Sequence, residues 1–502
     1  MLTLDGNSLT IKDFNSAVYA TETPIQLSDE AKRKVRAARH TVDTWLAKGE
    51  IVYGVTTGFG EFANVVIPPD ELDQLQENLI LSHSAGAGEW LPREVVRGMM
   101  ILRVNALAKG HSGIRLETLE TLIAMLNHQI IPAIPSQGSV GSSGDLVQLS
   151  HIALALIGKG QVLTSEGVKP SREILASFGI APVTLKAKEG LALINGTQMM
   201  CSYGGLAVEK ARRLANIADV AGALSVDALR GTDTAFDERI HRLRGFEGQL
   251  DSAKHLRDLL SGSEIRNSHR DNDTRVQDAY SLRCMPQVHG ASRDAINYAY
   301  KVLSTELNSA NDNPLIFPET DDHLEGGNFH GQPLALALDF LAIACAELAN
   351  ISERRTERLV NGALSNGLPR FLATRGGVQS GMMIAQYTSA SIVSENKVLC
   401  HPASVDSIPT SANQEDHNSM GSISAQKAWK VVSNLQTVLA IELLCAAQGI
   451  DFLRPLKTSD KLELIMEKIR SVVPFATTDR ILHTDIQLMI ELIESGKLDP
   501  KF

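Results

Sequence analysis

Gly-Ser-Val-Gly-Ser-Ser-Gly-Asp-Leu occupies residues 138–146 of this chain. The stretch follows Pro132 and Pro135 and precedes an apolar run with helical spacing. Its glycines and serines accept backbone angles that most residues avoid, which indicates a special turn. Composition alone favours a flexible surface loop, but the isoleucines and leucines on both sides predict burial. A buried loop must satisfy every backbone donor and acceptor, so we expect a functional element here.

The overall composition is typical of an ordinary soluble protein. The 502 residues suffice for two or three average domains, or for one extended helical unit. The net charge of -10 argues against a nucleic-acid partner, which would require a basic patch. The five scattered cysteines form no Cys-x-x-Cys pair and predict a reducing cytoplasm.

No secretion signal and no membrane span are expected. Residues 1–7 lack the basic start and the apolar run of a signal peptide. The most apolar segment, residues 333–351, contains Asp339 and Glu347, whereas a spanning helix needs about 20 mostly uncharged residues. We interpret this segment as a buried helix.

The spacing of apolar residues predicts a mainly α fold. Ser28 is a suitable N-cap for an amphipathic helix that ends at Gly49, and a later helix carries His83 on its leucine face. Long apolar helices are predicted at about 201–229, 289–308, 332–360, 379–396 and 421–448. Such helices bury themselves in a bundle or a subunit interface. We predict a smaller N-terminal globular region (1–200) that carries the loop and an elongated bundle of long helices (201–502).

Polar segments interrupt these helices and are the other candidates for chemistry. Each one read singly is more often a capped helix junction than a site. Glu415, Asp416 and His417 are adjacent, but neighbouring side chains diverge and no His-Glu-x-x-His spacing occurs, so no metal site is predicted.

Taken in order, the polar segments resemble the aromatic amino acid ammonia-lyase and aminomutase family over essentially the whole chain. The ordered set is far more specific than any single motif. The motifs are Tyr-Gly-Val-Thr-Thr-Gly-Phe-Gly (53–60), Ser-Val-Gly-Ser-Ser-Gly-Asp-Leu (139–146), Asn-Gly-Thr-Gln (195–198), Tyr-Ser-Leu-Arg-Cys (280–284), Asp-Asn-Pro-Leu (312–315), Gly-Gly-Asn-Phe-His (326–330), Ser-Glu-Asn-Lys (394–397) and Ser-Ala-Asn-Gln-Glu-Asp-His (411–417).

The resemblance implies a protein-derived electrophile, a methylidene-imidazolone, and no external cofactor. In this family the amide nitrogen of the third loop residue, here Gly144, attacks the carbonyl carbon of the first, here Ser142. Ser143 then loses its hydroxyl and becomes an exocyclic methylene. Glycine at 144 removes the Cβ that would crowd the closing ring, and burial holds the turn.

The resemblance also assigns roles to individual side chains. Tyr53 would remove the β-proton, Asn195 and Tyr280 would support the electrophile and the amine, and Arg283 would clamp the substrate carboxylate in a planar two-point contact. Phe329 would pack near the substrate, and Gln277 is a more peripheral candidate. Family members are homotetramers whose sites combine residues of three chains, and this implies the same assembly here.

The predicted partner is a small molecule, an amino acid substrate. Members that act on phenylalanine or tyrosine carry Phe-Leu or His-Leu at the position of Ser82-His83, and usually lack a glutamate at Glu415. Both positions here resemble the histidine-acting branch, since histidine and carboxylate side chains can hydrogen-bond an imidazole or an ammonium group. The leading hypothesis is therefore elimination of ammonia from L-histidine to give trans-urocanate.

Departures from the family pattern leave alternatives open. Ser142 stands where alanine is usual and Gln148 where proline is common, while Thr56 and Asn418 also differ from the commonest wording. A phenylalanine or tyrosine ammonia-lyase or a 2,3-aminomutase would share the electrophile. A lyase with an uncyclised loop could act on a histidine betaine, and an inactive helical scaffold is the non-enzyme alternative.

Overall fold

The computed structural model describes residues 1–271, 273 and 275–499. About 59% of the residues are helical, which confirms the mainly α fold class. The α-helices are α1 (Ile11–Tyr19), α2 (Asp29–Lys48), α3 (Leu72–His83), α4 (Arg93–Ala108), α5 (Leu116–Asn127), α6 (Leu146–Leu156), α7 (Ser171–Ser177), α8 (Glu189–Ile194), α9 (Gln198–Ala228), α10 (Glu238–Arg244), α11 (Glu247–Leu260), α12 (Glu264–Asn267), α13 (Tyr280–Arg283), α14 (Met285–Glu306), α15 (Gln332–Val360), α16 (Met383–Leu399), α17 (Gly421–Asp451), α18 (Asp460–Val472) and α19 (Leu482–Glu494).

The strands are short and form small sheets. They are β1 (Leu2–Leu4), β2 (Ile25–Leu27), β3 (Ala87–Trp90), β4 (Ile131–Pro132), β5 (Pro135–Gln137), β6 (Gln161–Thr164), β7 (Gly167–Pro170), β8 (Leu315–Phe317) and β9 (Asp322–Leu324). β1 pairs with β2 in parallel, β3 with β5 antiparallel, and β8 with β9 antiparallel. β4, β6 and β7 form an antiparallel three-stranded sheet in that order.

The described chain divides into two compact units. The first comprises residues 1–209, 300–339 and 402–426, and the second comprises the described residues within 210–299, 340–401 and 427–502. Two later segments of the chain therefore return to the N-terminal unit. The predicted division at residue 200 partitions the chain differently and stays a prediction.

In the first unit, α2 begins and ends at the residues that the sequence predicts. The Ser28 side chain accepts a hydrogen bond from the Ala31 amide at 3.1 Å, and Gly49 ends α2 in the left-handed conformation. Trp45 and Val42 on the inner face of α2 belong to a buried apolar cluster that extends to β8. These contacts fix the segment after α2, which carries Tyr53.

The second unit contains α16 and most of the length of α9, α14, α15 and α17, and a buried ion pair joins two of these helices. Arg355 on α15 donates to Glu442 on α17 at 2.5 and 2.8 Å, and both side chains are fully buried. Ser225 and Ser352 donate to the same carboxylate. Because every carboxylate oxygen is bonded, the burial cost of the pair is offset.

Two helix starts differ from the prediction by four residues. The helix expected from residue 289 begins at Met285. The helix expected from residue 379 begins at Met383, because Gly381 has a φ of +53°. The amides of Ser380 and Gly381 donate to Asp479 at 2.8 and 3.0 Å and are thus satisfied outside a helix.

Two helices, α15 and α17, are long and apolar enough to cross a membrane by length and composition alone. Of the most apolar 18 residues in each helix, 67% in α15 and 89% in α17 are buried inside the protein. Core helices of a helical bundle have the same property.

Candidate active site

The glycine- and serine-rich loop at residues 138–145 connects β5 to α6 and packs against the segment after α8. Gly144 has a φ of +74°, and a Cβ there would lie 2.0 Å from the Gly196 carbonyl oxygen. The Asp145 amide donates to that same oxygen at 2.7 Å. Only glycine at 144 permits this approach of the two backbones.

Asp145 anchors the end of the loop. Its side chain accepts hydrogen bonds from the amides of Met199 and Met200, in the first turn of α9, at 2.9 and 3.0 Å. Burial raises the pKa of Asp145 to about 7, although these two amide bonds oppose the shift. Asp145 directly precedes α6, but its side chain makes no capping hydrogen bond to that helix and binds the first turn of α9 instead.

Glu415 is held by three hydroxyl groups. Its Oε2 accepts from Ser142 Oγ at 2.9 Å and from Thr410 Oγ1 at 2.7 Å. Its Oε1 accepts from Ser143 Oγ at 3.0 Å. Backbone hydrogen bonds between Thr410 and Glu415 close the turn that presents the carboxylate. The structure thus brings Glu415 together with two serines that are more than 270 positions away in the chain. Thr410 was not predicted from the sequence as a site residue.

Asn195 joins the loop from its other side. Its Nδ2 donates to the Ser143 carbonyl oxygen at 3.2 Å. Its own carbonyl oxygen accepts from Arg103 Nη1 at 2.8 Å. Arg103 is 1% exposed, and burial lowers its pKa to about 10. This arginine was also missed, and the available signal was a single charge within the mainly apolar second half of α4, residues 99–108.

Tyr53 presents its phenol to the same region. The hydroxyl oxygen accepts a hydrogen bond from the Gly60 amide at 3.3 Å. Burial raises the pKa of Tyr53, and the carboxylates of Glu415 and Glu325 raise it further. The phenol therefore keeps its proton at neutral pH in this chain.

His83 ends α3 and is neutral at neutral pH, because burial lowers its pKa. Its Nδ1 lies 3.1 Å from Ser82 Oγ, whose hydroxyl donates to the Leu79 carbonyl oxygen. When the Ser82 hydroxyl donates to Leu79, the imidazole proton lies on Nδ1. In that tautomer the Nε2 atom keeps its lone pair and can accept a hydrogen bond.

Several of these side chains line one cavity of about 650 Å³, and every lining residue belongs to the first unit. Seven predicted site residues contribute to it: Tyr53, His83, Ser142, Ser143, Asn195, Phe329 and Glu415. The apolar part of the wall includes Phe59, Leu79 and Leu191. None of the described residues that line the cavity is a lysine or an arginine.

Of the four other predicted site residues, Gly144 lies in the loop of the first unit, and Gln277, Tyr280 and Arg283 belong to the second unit. Tyr280 is 70% exposed, and the Arg283 guanidinium carbon lies 4.6 Å from the centre of its ring. Gln277 is also exposed. None of the three is among the lining residues of this cavity, and their roles stay predictions.

No metal centre accompanies the cavity in the part of the chain that the structure describes, since no three or more His, Cys, Asp or Glu side chains there could share an ion. Comparison with known families then decides the class of protein. The sequence profile described as aromatic amino acid lyase matches residues 9–471. The chain belongs to the aromatic amino acid lyase family. It is therefore a carbon–nitrogen lyase.

Full-length relatives support this membership of the aromatic amino acid lyases. Histidine ammonia-lyase of Caldanaerobacter subterraneus subsp. tengcongensis is 52% identical, over 99% of this chain and 97% of the relative. The crystal structure of histidine ammonia-lyase from Trypanosoma cruzi is 49% identical, with a TM-score of 0.92 over 99% of this chain and 94% of that one. Tyrosine aminomutase from Streptomyces globisporus is 38% identical, with a TM-score of 0.93 over 99% and 97%.

Proposed function

We propose that the protein eliminates ammonia from L-histidine to give trans-urocanate. The observation that carries this proposal is that Ser143, His83 and Glu415 line the same cavity, in which the Ser143 hydroxyl donates to Glu415. The named histidine ammonia-lyase relatives, which match nearly the full chain, support the choice of substrate. The net charge of -10 offers nothing that would attract nucleic acid.

Enzymes of this family use a protein-derived cofactor. The residues present fit a methylidene-imidazolone formed from Ser142, Ser143 and Gly144. Its formation joins the Gly144 nitrogen to the Ser142 carbonyl carbon with loss of one water, and removes the Ser143 hydroxyl and α-hydrogen as a second. The absence of a Cβ at Gly144 leaves space for this closure beside the Gly196 carbonyl group. Once formed, the group supplies an electrophilic carbon that captures the substrate and assists loss of a poor leaving group.

Asn195 contacts the backbone of the loop that forms the electrophile. Its hydrogen bond to the Ser143 carbonyl oxygen withdraws electron density from the loop. That oxygen is not consumed by ring closure, so the bond persists in the mature enzyme. A preorganised donor of this kind favours charge that develops on the oxygen during reaction.

In this proposal His83 binds the imidazole ring of the substrate, and Glu415 binds its ammonium group. A neutral imidazole ring has one N–H, and the lone pair on His83 Nε2 can accept it. The carboxylate of Glu415 lies within 3.0 Å of Ser143 Oγ, next to the reacting centre. We assign it to the substrate ammonium group, from which it can accept a hydrogen bond or a proton.

Tyr53 is the base for the β-proton in this proposal. Its phenol faces the cavity, but burial and two carboxylates raise its pKa. Activity must then increase as the pH rises toward ionisation of the phenol. Phe329 adds an aromatic surface to the lining of this cavity.

The substrate carboxylate requires a positive charge that the lining of the cavity does not offer. We propose a homotetramer in which Arg283 of another copy enters the site. Co-expression of Ser143→Ala and Arg283→Ala chains tests this assembly, because about one quarter of randomly mixed sites would then carry both wild-type residues. Each variant alone is expected to be inactive. A site built within one chain would show no recovery, and light scattering gives the subunit number.

The test of function is the appearance of urocanate absorbance when purified protein meets L-histidine, with Ser143→Ala as the inactive control. Loss of two waters in the intact mass reports ring formation independently. Products from phenylalanine and tyrosine, including β-amino acids, would instead indicate the related lyases or aminomutases. An unmodified mass together with turnover of a histidine betaine would indicate the uncyclised alternative. We also propose a cytoplasmic location, consistent with five free cysteines.

A further inference from the structure

Ser142 contacts the site through its side chain as well as its backbone. Its hydroxyl is nearly buried, with the residue 6% exposed, and it donates to Glu415 Oε2 at 2.9 Å. Thr410 donates to the same oxygen at 2.7 Å, while Ser143 donates to Oε1. The two carboxylate oxygens of Glu415 thus have different sets of partners.

Ring closure changes only one of these sets. The Ser143 hydroxyl leaves as water, which frees Oε1 to accept from the substrate. The side chains of Ser142 and Thr410 are not consumed, so Oε2 keeps both donors. Hydrogen bonds to a charged group are among the stronger ones in proteins, and two of them fix the plane of the carboxylate.

We infer that Ser142 is a positioning residue, whose hydroxyl holds Glu415 with its free oxygen directed at the substrate ammonium group. This inference rests on the proposed function. The loop therefore has two tasks, since its backbone forms the electrophile and its first side chain orients the carboxylate beside it. Without the Ser142 hydroxyl, Glu415 is held by Thr410 alone and can rotate about its last side-chain bond.

The test compares Ser142→Ala with Ser142→Thr, which keeps a hydroxyl. We expect Ser142→Ala to lose two waters like the wild type, and to show a three- to tenfold lower kcat/KM for L-histidine, on the order of one weakened charge-assisted hydrogen bond. Imidazole-propionate, which is histidine without its amino group, should inhibit both proteins equally. Ser142→Thr should restore most of the activity, and Thr410→Val, which removes the other donor to Oε2, should reproduce the defect.

Each other outcome overturns the inference. An unmodified mass for Ser142→Ala would place the hydroxyl in ring formation instead. Equal weakening of histidine and imidazole-propionate would indicate general damage to the loop, and unchanged kinetics would show that Thr410 suffices. If the wild-type protein makes no urocanate, the proposed function itself fails before any variant is compared.

Discussion

Replacing Gly144 by alanine tests the close approach of the loop to the segment after α8. The new Cβ would lie 2.0 Å from the Gly196 oxygen and 2.3 Å from its carbonyl carbon. Since carbon and oxygen atoms are in contact at roughly 3.3 Å, one backbone must move by more than about 1 Å. That movement breaks the 2.7 Å hydrogen bond from the Asp145 amide.

The magnitude follows from two contributions. A left-handed backbone costs an alanine about 1–2 kcal/mol, and loss of the hydrogen bond adds about 1 kcal/mol or more. Gly49→Ala is a matched control, because Gly49 has a φ of +70° but no heavy atom within 4 Å of its Cβ position. Gly144→Ala should therefore lower the free energy of unfolding by at least about 1 kcal/mol more than Gly49→Ala.

Both variants are best measured by urea unfolding in a Ser143→Ala background, where the loop stays uncyclised in every protein. With Ser143 present, intact mass should show that Gly144→Ala no longer loses two waters. Equal destabilisation by the two substitutions would refute the steric reasoning. Retained loss of water would refute the requirement for glycine in ring closure.

Three further predictions concern charge and proton transfer. Tyr53→Phe should lower kcat by about 10²–10⁴, as expected for loss of a general base. Its urea unfolding should be unchanged, since the phenol contributes only one long hydrogen bond. Near-normal turnover would exclude Tyr53 as the base. Burial raises the pKa of Asp145 to about 7, so stability from this group is present below pH 3.8 and is lost as pH rises to about 7. The stability of wild type relative to Asp145→Asn should fall over that range, by about 4 kcal/mol at most, and a constant difference in pH-dependent unfolding would contradict it. Glu325→Gln should move the rise of kcat/KM to lower pH, because the Glu325 carboxylate raises the pKa of Tyr53, whereas Glu61→Gln should not; identical pH profiles would contradict this.

Local patterns in the sequence predicted most of the fold. Ser28 and Gly49 bound α2 as expected, because capping and left-handed termination depend on neighbouring residues. The long helices were evident from apolar spacing over many turns. The start of α16 was not, because Asp479, distant in sequence, takes the amides that would have begun it.

The sequence by itself determined the chemistry available to the loop, since a hydroxyl at Ser143 and a missing Cβ at Gly144 are properties of those residues alone. Only the tertiary structure decided what surrounds them. Arg103 contacts Asn195 from a distant segment. The turn that holds Thr410 and Glu415 likewise meets Ser142 and Ser143 only in the folded chain. The raised pKa of Tyr53 likewise comes from burial and from carboxylates elsewhere in the chain. Desolvation and long-range contacts exist only after folding, and they convert a glycine–serine turn into one wall of a site.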